Sequence, residues 1–179
     1  LFLRGDDGRF PDMPSLRLPR PGTGWTFMAA DDFNGDRRPD VVLLTGEARP
    51  VTVSVFYHTG HAQRSYESRP GATFQLPADV GVVRDGPTTS DWNGDGIADL
   101  LLGTGQEGKV FVLLGAASGG LNPDRTASLA LDFRLHFDTR IGVADFNGDG
   151  RADLAAFGTS AVGAPAVYVR LQAAEPSRK

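Results

Sequence analysis

Residues 145–153 read Asp145-Phe146-Asn147-Gly148-Asp149-Gly150-Arg151-Ala152-Asp153. Oxygen-bearing side chains stand at the first, third, fifth and ninth positions of this loop, and the seventh position can offer a backbone carbonyl. Ca²⁺ takes about six to eight oxygen ligands in a flexible geometry, so this spacing suits a loop wrapped around a hard cation. Glycine at the fourth and sixth positions lets the backbone reach positive φ at no steric cost. The stretch therefore predicts a calcium-binding turn.

The same loop occurs at two earlier places in the chain. Residues 91–99 read Asp91-Trp92-Asn93-Gly94-Asp95-Gly96-Ile97-Ala98-Asp99 and match at every key position. Residues 32–40 read Asp32-Phe33-Asn34-Gly35-Asp36-Arg37-Arg38-Pro39-Asp40, with Arg37 in place of the second glycine. A non-glycine residue at that position carries a strain of roughly 1 kcal/mol if the turn needs positive φ. We call residues 32–40 loop 1, residues 91–99 loop 2 and residues 145–153 loop 3.

The residues that follow each loop exclude an EF-hand. An EF-hand needs a bidentate glutamate at position 12, whereas these loops have Leu43, Leu102 and Ala156 there. Each loop is instead followed by a short apolar run that soon meets glycine or Thr-Gly, which is typical of a buried strand. The aspartate at the ninth position is therefore expected to supply the closing ligand.

Short strands on a regular spacing predict an all-β chain. The first positions of the loops are 59 residues apart (32 to 91) and then 54 apart (91 to 145), a period typical of propellers or solenoids. The predicted strands are residues 25–30, 40–44, 51–57, 73–76, 88–90, 100–102, 109–114, 127–133, 140–144, 153–157 and 166–171. Leu1-Phe2-Leu3 is expected to end a further strand, and residues 15–19 to form the outer strand of the same unit.

The pattern D-x-N-G-D-G-x-x-D-L resembles the FG-GAP and VCBS repeats of integrin α-subunit-like β-propellers, in a bacterial form. The resemblance implies one four-stranded blade per repeat, with Ca²⁺ in the loop between the first two strands. The side-chain ligands it implies are Asp32, Asn34, Asp36 and Asp40; Asp91, Asn93, Asp95 and Asp99; and Asp145, Asn147, Asp149 and Asp153. Arg38, Ile97 and Arg151 would add backbone carbonyls, for up to three Ca²⁺ ions.

The expected fold is one β-propeller segment of about three four-stranded blades. The expected units are residues 1–21 as a partial blade, then 22–78, 79–135 and 136–172, with a polar tail at 173–179. Propellers have four to eight blades, because fewer do not close a ring. We therefore expect a portion of a larger propeller, completed by further blades or by a second chain.

Composition limits the classes of function. Nine of the 22 acidic residues are loop aspartates, so one Ca²⁺ per loop would change the net charge from −4 to +2 (−4 + 6). The acidity is thus metal-site chemistry, and the absence of a basic stripe argues against nucleic-acid binding. No apolar run approaches the ~20 residues of a membrane helix. The chain has no cysteine, which excludes disulfides and thiol nucleophiles.

These observations favour a calcium-stabilised extracellular or secreted module for binding or adhesion, without catalytic activity. Its ligand would be a protein or a carbohydrate. Two alternatives stay open. A lectin-like carbohydrate-binding propeller would use exposed aromatic residues such as Trp25, Tyr57 and Tyr66, and the chain would otherwise be the non-catalytic part of a larger secreted enzyme. The aromatic residues at the second loop position, Phe33, Trp92 and Phe146, are expected to pack between blades.

Overall fold

The computed structural model describes residues 7–13, 16–19, 23–46, 50–61, 65–78, 80, 86–104, 108–131, 133–135, 141–159 and 163–173. Within these ranges the chain forms strands and no helix. The strands are β1 (Trp25–Asp31), β2 (Asp40–Gly46), β3 (Thr52–Phe56), β4 (Ala72–Gln75), β5 (Thr88–Ser90), β6 (Asp99–Thr104), β7 (Lys109–Leu113), β8 (Thr126–Ala130), β9 (Arg134–Leu135), β10 (Ile141–Ala144), β11 (Asp153–Thr159) and β12 (Pro165–Arg170). No described segment is a helix of the length and hydrophobicity needed to cross a membrane.

The strands form three antiparallel sheets that follow one another along the chain. The first sheet has the order β1-β2-β3-β4 and the second has the order β5-β6-β7-β8. In the third sheet β10, β11 and β12 are neighbours, and β9 pairs with β11 beyond the end of β10. The all-β prediction is therefore confirmed for the described residues, and the sheets are consistent with propeller-like blades.

The three sheets stack face to face in chain order. One buried cluster joins the first sheet to the second through residues such as Val42 and Val53 on one side and Leu100 and Leu102 on the other. A second cluster joins the second sheet to the third, and includes Leu101, Val112 and Leu154 from the two sheets. Both faces of the second sheet are thus buried, which explains why β6 and β7 are almost continuously apolar.

The strands that precede the three loops, β1, β5 and β10, lie side by side. β5 neighbours both β1 and β10, and the hydroxyl of Thr88 in β5 donates a hydrogen bond of 3.0 Å to the carbonyl of Ile141 in β10. Because each loop begins at the end of one of these strands, this arrangement brings the three loops to one edge of the stack.

One expected strand is absent from the described structure, and one observed strand was not expected. Residues 16–19 form no strand; Leu16 and Leu18 instead pack against the buried cluster of Val41, Leu43, Phe56 and Tyr66. β9 was not predicted, because two residues are too few to show an alternating pattern. The strand end predicted at residues 1–3 lies outside the described residues.

Candidate metal-binding loops

Each loop connects two neighbouring strands of its sheet: β1 and β2, β5 and β6, and β10 and β11. The last paired residues before and after the loops are Asp31 with Asp40, Ser90 with Asp99, and Ala144 with Asp153. The pairing of the two strands therefore extends to the ninth loop position in all three sheets. The eight preceding loop residues lie beyond the last strand pair.

The aspartate at the first position organises the backbone of its own loop. In loop 2, Asp91 Oδ1 accepts the N–H groups of Gly94 and Asp95 at 2.8 and 3.0 Å, and Oδ2 accepts that of Gly96 at 2.8 Å. Asp32 and Asp145 accept the equivalent three bonds in loops 1 and 3. One carboxylate thus accepts three backbone hydrogen bonds, and the short side chain of aspartate favours turns of this kind.

The third and fifth positions continue the same network. In loop 2, Asn93 Oδ1 accepts the N–H of Asp95, and Asp95 Oδ1 accepts the N–H of Ile97, each at 2.9 Å. Equivalent bonds run from Asp36 N–H to Asn34 and from Arg38 N–H to Asp36 in loop 1. Loop 3 repeats them with Asp149 and Arg151 as donors. The residues predicted at these positions are therefore brought together in all three loops.

The aspartate at the ninth position is buried, and its two oxygens accept hydrogen bonds from two different segments. Asp99 is 0% exposed; its Oδ2 accepts the Trp92 N–H at 2.9 Å, and its Oδ1 accepts the Gly115 N–H at 2.8 Å. Asp40 and Asp153 are equally buried and bridge in the same way, to His58 and to Gln172. This residue therefore ties its loop to the chain that leaves the third strand.

Burial and hydrogen bonding shift the pKa values of these carboxyl groups in opposite directions. Burial raises the pKa of Asp40 to about 6, even though hydrogen bonds from the backbone N–H groups of His58 and Phe33 lower it. Burial likewise raises the pKa of Asp99. The exposed Asp145 has a lowered pKa, because backbone N–H groups, first that of Gly150, stabilise its charged form.

We expect ionisation of Asp40 to destabilise the calcium-free protein as the pH rises. The pKa of this carboxyl is about 6 in the folded chain against a usual value of 3.8, so the folded state holds its proton more tightly. Stability is then lost between about pH 4 and pH 6, by at most about 3 kcal/mol. The measurement is the free energy of unfolding of the wild type and of Asp40→Asn in chelator across this range. The wild type should lose stability relative to the variant as pH rises, and a difference independent of pH would contradict the expectation.

Loop 1 keeps the backbone of the other loops despite its arginine. Arg37 has φ 65°, and the equivalent Gly96 and Gly150 have φ 83° and 82°. Arg37 is the only non-glycine residue with positive φ among those that the structure describes. Its N–H donates to Asp32 Oδ2 at 2.6 Å, the same bond that the two glycines make. The predicted strain is therefore present.

Replacing Arg37 with glycine is expected to stabilise the protein by about 0.5–1 kcal/mol. Removing the Cβ relieves a cost of about 1–2 kcal/mol, part of which is offset by the greater freedom of glycine in the unfolded chain. The measurement is denaturant unfolding in chelator. Arg37→Ala is the matched control, since alanine removes the charge and keeps the Cβ; an equal gain in that variant would refute the explanation by strain.

The loop oxygens suit a hard cation in their chemistry. A carboxylate or amide oxygen has two acceptor sites, so an oxygen holding one N–H, such as Asp91 Oδ2 or Asn93 Oδ1, keeps one for a metal. Within the described residues, however, no three or more acidic or histidine side chains converge as a metal site. The oxygen donors thus fit Ca²⁺ in their chemistry, but the carboxylates would have to move closer together to bind it.

Arginine at the seventh position neutralises part of the charge of two loops. Arg151 pairs with Asp149 Oδ2 in loop 3, and Arg38 lies 3.6 Å from Asp36 Oδ2 in loop 1. Loop 2 has Ile97 at this position, and its Asp95 Oδ2 accepts only the Asn93 side-chain amide, at 3.0 Å, among the bonds resolved there. Loop 2 thus has the carboxylates least compensated by a neighbouring cation.

The aromatic residues at the second loop position differ in burial. Phe33 is completely buried between the first two sheets, and Trp92 packs against the cluster between the second and third. Phe146 is 49% exposed, so the expectation that it packs between blades is wrong for the described structure. The reason is positional: no described sheet follows the third.

The aromatic residues considered for sugar binding are used largely in packing. Tyr66 is buried, and its hydroxyl donates to the Pro39 carbonyl. Trp25 packs against the first cluster with its ring 5.1 Å from that of Phe27. Tyr57 donates to the Gly119 carbonyl at 3.0 Å and lines a cleft of about 460 Å³. The other residues lining this cleft are His58, Thr59, Glu67, Ser68, Arg69, Pro70 and Gly71.

Contacts between loop 1 and the second sheet were not predicted. The carbonyl of Asp32 accepts the Ala98 N–H at 3.0 Å, and that of Phe33 accepts the Ala116 N–H at 3.3 Å. Gly115 permits this approach, because a Cβ there would lie 3.0 Å from the carbonyl oxygen of Phe33 in loop 1 and 2.3 Å from that of Ala98. Loop 1 is therefore fixed by backbone contacts with the following repeat, which no local pattern in the sequence indicates.

Comparison with known families agrees with this geometry. The FG-GAP-like repeat matches residues 91–156, from the first position of loop 2 into β11. The matched region contains loops 2 and 3 and supports an FG-GAP-like repeat protein. Comparison with curated proteins found no similar sequence.

Proposed function

We propose that this chain is a propeller-like segment whose three loops each bind one Ca²⁺, and that it serves as an extracellular binding or adhesion module without catalytic activity. The observation that carries the proposal is the repetition in loops 1, 2 and 3 of one hydrogen-bond network around one set of oxygen donors. FG-GAP-like repeats are typically non-catalytic structural modules, which agrees with this assignment.

The proposed ion in each loop would be held by the side chains at the first, third, fifth and ninth positions. Ca²⁺ would supply positive charge among three carboxylates that otherwise repel one another. In loop 2 these are Asp91, Asp95 and Asp99, with the amide oxygen of Asn93. Because Asp99 also accepts the Gly115 N–H, a cation there would strengthen the connection between the loop and the end of β7.

A structural role explains the sites better than a catalytic one. Each loop supplies its own donors, and similar donors recur in three places, as expected of a device that stabilises a repeat. A catalytic metal site keeps an open position where substrate and further groups meet. The loops instead connect successive strands, and loop 1 contacts the second sheet through backbone hydrogen bonds.

The proposed location follows from the affinity expected of such sites. Extracellular calcium modules commonly bind with dissociation constants of about 10⁻⁴ to 10⁻³ M, well above free cytosolic calcium. Loops that bind in this range would be filled outside the cell. A dissociation constant in the micromolar range or below would remove this argument for an extracellular site.

Calorimetric titration of the calcium-free protein tests the proposal. We expect as many as three bound ions per chain, with loop 2 filling first because no arginine pairs with its fifth-position carboxylate. Asp95→Ala should remove one ion from the stoichiometry. Asp124→Ala is the control, since Asp124 is an exposed acidic residue in a turn outside the loops. Absence of binding at millimolar calcium would refute the proposal.

A further inference from the structure

The connection between β3 and β4 forms a cleft of about 460 Å³. Its two sides are residues 57–59, directly after β3, and residues 67–71, directly before β4. The N–H of His58 donates to Asp40 at 2.9 Å, so the cleft lies beside the ninth position of loop 1. Its volume is within the range of about 300–1,000 Å³ that small-molecule sites occupy. We call it the β3–β4 cleft.

The other two sheets show which residues of the cleft the repeat itself requires. The residue that donates its N–H to the buried ninth-position aspartate is His58 in the first sheet, Gly115 in the second and Gln172 in the third. The residue before it is Tyr57 in the first sheet, and the other two sheets have leucine there. The contact with the aspartate uses only a backbone N–H. The repeat therefore does not explain why the first sheet has a phenol ring and an imidazole at these positions.

The ring of Tyr57 is fixed in place as one wall of the cleft. Its hydroxyl donates to the Gly119 carbonyl at 3.0 Å. Two glycines make room for it: a Cβ on Gly71 would lie 2.6 Å from the ring atom Cδ2, and a Cβ on Gly120 would lie 2.3 Å from the hydroxyl oxygen. Because this half-buried ring is already ordered, a ligand that packs against it immobilises no further side chain there.

The polar side chains of the cleft include both hydrogen-bond donors and acceptors. His58 Nδ1 accepts the N–H of Gly60 at 3.0 Å, so the hydrogen of the neutral ring is on Nε2. Arg69 is exposed and forms no hydrogen bond or ion pair with any residue that the structure describes, which leaves its guanidinium donors available. Glu67 adds a carboxylate that only accepts, and Ser68 adds a hydroxyl that does both.

This combination of groups favours one class of ligand. A sugar hydroxyl donates and accepts at once, so it is matched by a donor and an acceptor that lie close together. The C–H face of a pyranose ring is apolar and packs on an aromatic ring such as that of Tyr57. An ionic ligand fits less well, because the carboxylate of Glu67 and the guanidinium of Arg69 would each repel an ion of its own sign.

We propose that the β3–β4 cleft binds a neutral pyranose sugar, with the C–H face of the sugar on Tyr57 and its hydroxyl groups bonded to Arg69 and Glu67. The inference rests on the proposed function, because it names the ligand class of the binding module. A methyl hexoside has about 13 non-hydrogen atoms, so we expect a dissociation constant on the order of 1 mM for a single sugar.

Two-dimensional proton–nitrogen NMR of the calcium-loaded chain tests the cleft. The probes are the methyl glycosides of glucose, galactose and mannose, each added to about 50 mM, well above the expected dissociation constant. At least one should shift the amide signals of residues 57–59 and 67–71. Arg69→Ala should weaken binding by about tenfold or more, because hydrogen bonds from a charged donor are lost. Arg9→Ala is the matched control, since Arg9 is exposed and does not line the cleft.

A second variant tests the aromatic wall. Tyr57→Leu introduces the residue that the other two sheets have at this position, so the sheet should still form, and binding should weaken by about tenfold or more through loss of the ring. Circular dichroism melts establish that each variant is folded. If Tyr57→Leu is not folded, Arg69→Ala decides alone, because the exposed Arg69 side chain has no described partner to lose.

The outcomes separate the alternatives. No shift with any of the three glycosides, shifts confined to other parts of the chain, or binding that Arg69→Ala leaves unchanged would each overturn the proposal. A tetrapeptide of glutamate and alanine is titrated in parallel, and a response of the cleft to this peptide alone would overturn it as well. The amides of Gly94 and Gly148 report calcium binding in the same sample. Loops that respond to calcium in a chain that binds no sugar would refute the cleft alone, whereas sugar binding without a calcium response would refute only the metal sites.

Discussion

Saturating calcium is expected to raise the melting temperature of this protein by roughly 15–30 °C over its value in chelator. A site held at a hundredfold excess over its dissociation constant adds about 2.7 kcal/mol, so three sites add about 8 kcal/mol. In a domain of this size each kcal/mol corresponds to a shift of about 2–4 °C. The three loops have the same backbone hydrogen bonds and the same types of oxygen donor, so each should contribute to the increase in melting temperature.

Magnesium is the control for this melt, because Mg²⁺ requires near-octahedral geometry and gives up its water reluctantly. It should produce a much smaller shift. Asp95→Ala should lose about one third of the calcium effect, by removing the fifth-position carboxylate of loop 2 only. An unchanged melting temperature in calcium would mean that the loops are turns without a metal.

The strand pattern and the loops could be predicted because both depend on neighbours in sequence. Apolar runs such as that of β6 follow directly from burial on both faces of a sheet. The positive φ of Arg37 was also predictable, because its glycine counterparts in loops 2 and 3 show what the turn requires. Repetition within the chain thus served as an internal comparison.

The remaining features depend on contacts that the sequence does not encode locally. The N–H of Gly115 that bonds to Asp99 comes from a residue 16 positions later, at the end of another strand. β9 exists only because β11 extends past β10 and offers two further residues for pairing. The exposure of Phe146 depends on which sheets surround loop 3, while its sequence context matches that of the buried Phe33.

The buried aspartate at the ninth position is expected to be indispensable even without metal. Asp99→Ala should destabilise the calcium-free protein by about 3–5 kcal/mol, since it leaves the N–H groups of Trp92, Asn93 and Gly115 without their acceptor. Asp99→Asn should cost less, because one oxygen remains and the burial that raises the pKa of Asp99 no longer opposes a charge. The measurement is denaturant unfolding in excess chelator.

A substitution at the fifth position of the same loop distinguishes a residue that acts only as a metal ligand from one that also stabilises the metal-free fold. Asp95 is exposed, so Asp95→Ala should cost less than about 1 kcal/mol in chelator. It should nevertheless abolish the calcium-dependent gain of loop 2. Hydrogen exchange adds a local readout: the Gly115 amide should lose protection in Asp99→Ala and keep it in Asp95→Ala. If both variants lost stability equally in chelator, the ninth position would have no structural role beyond that of a ligand.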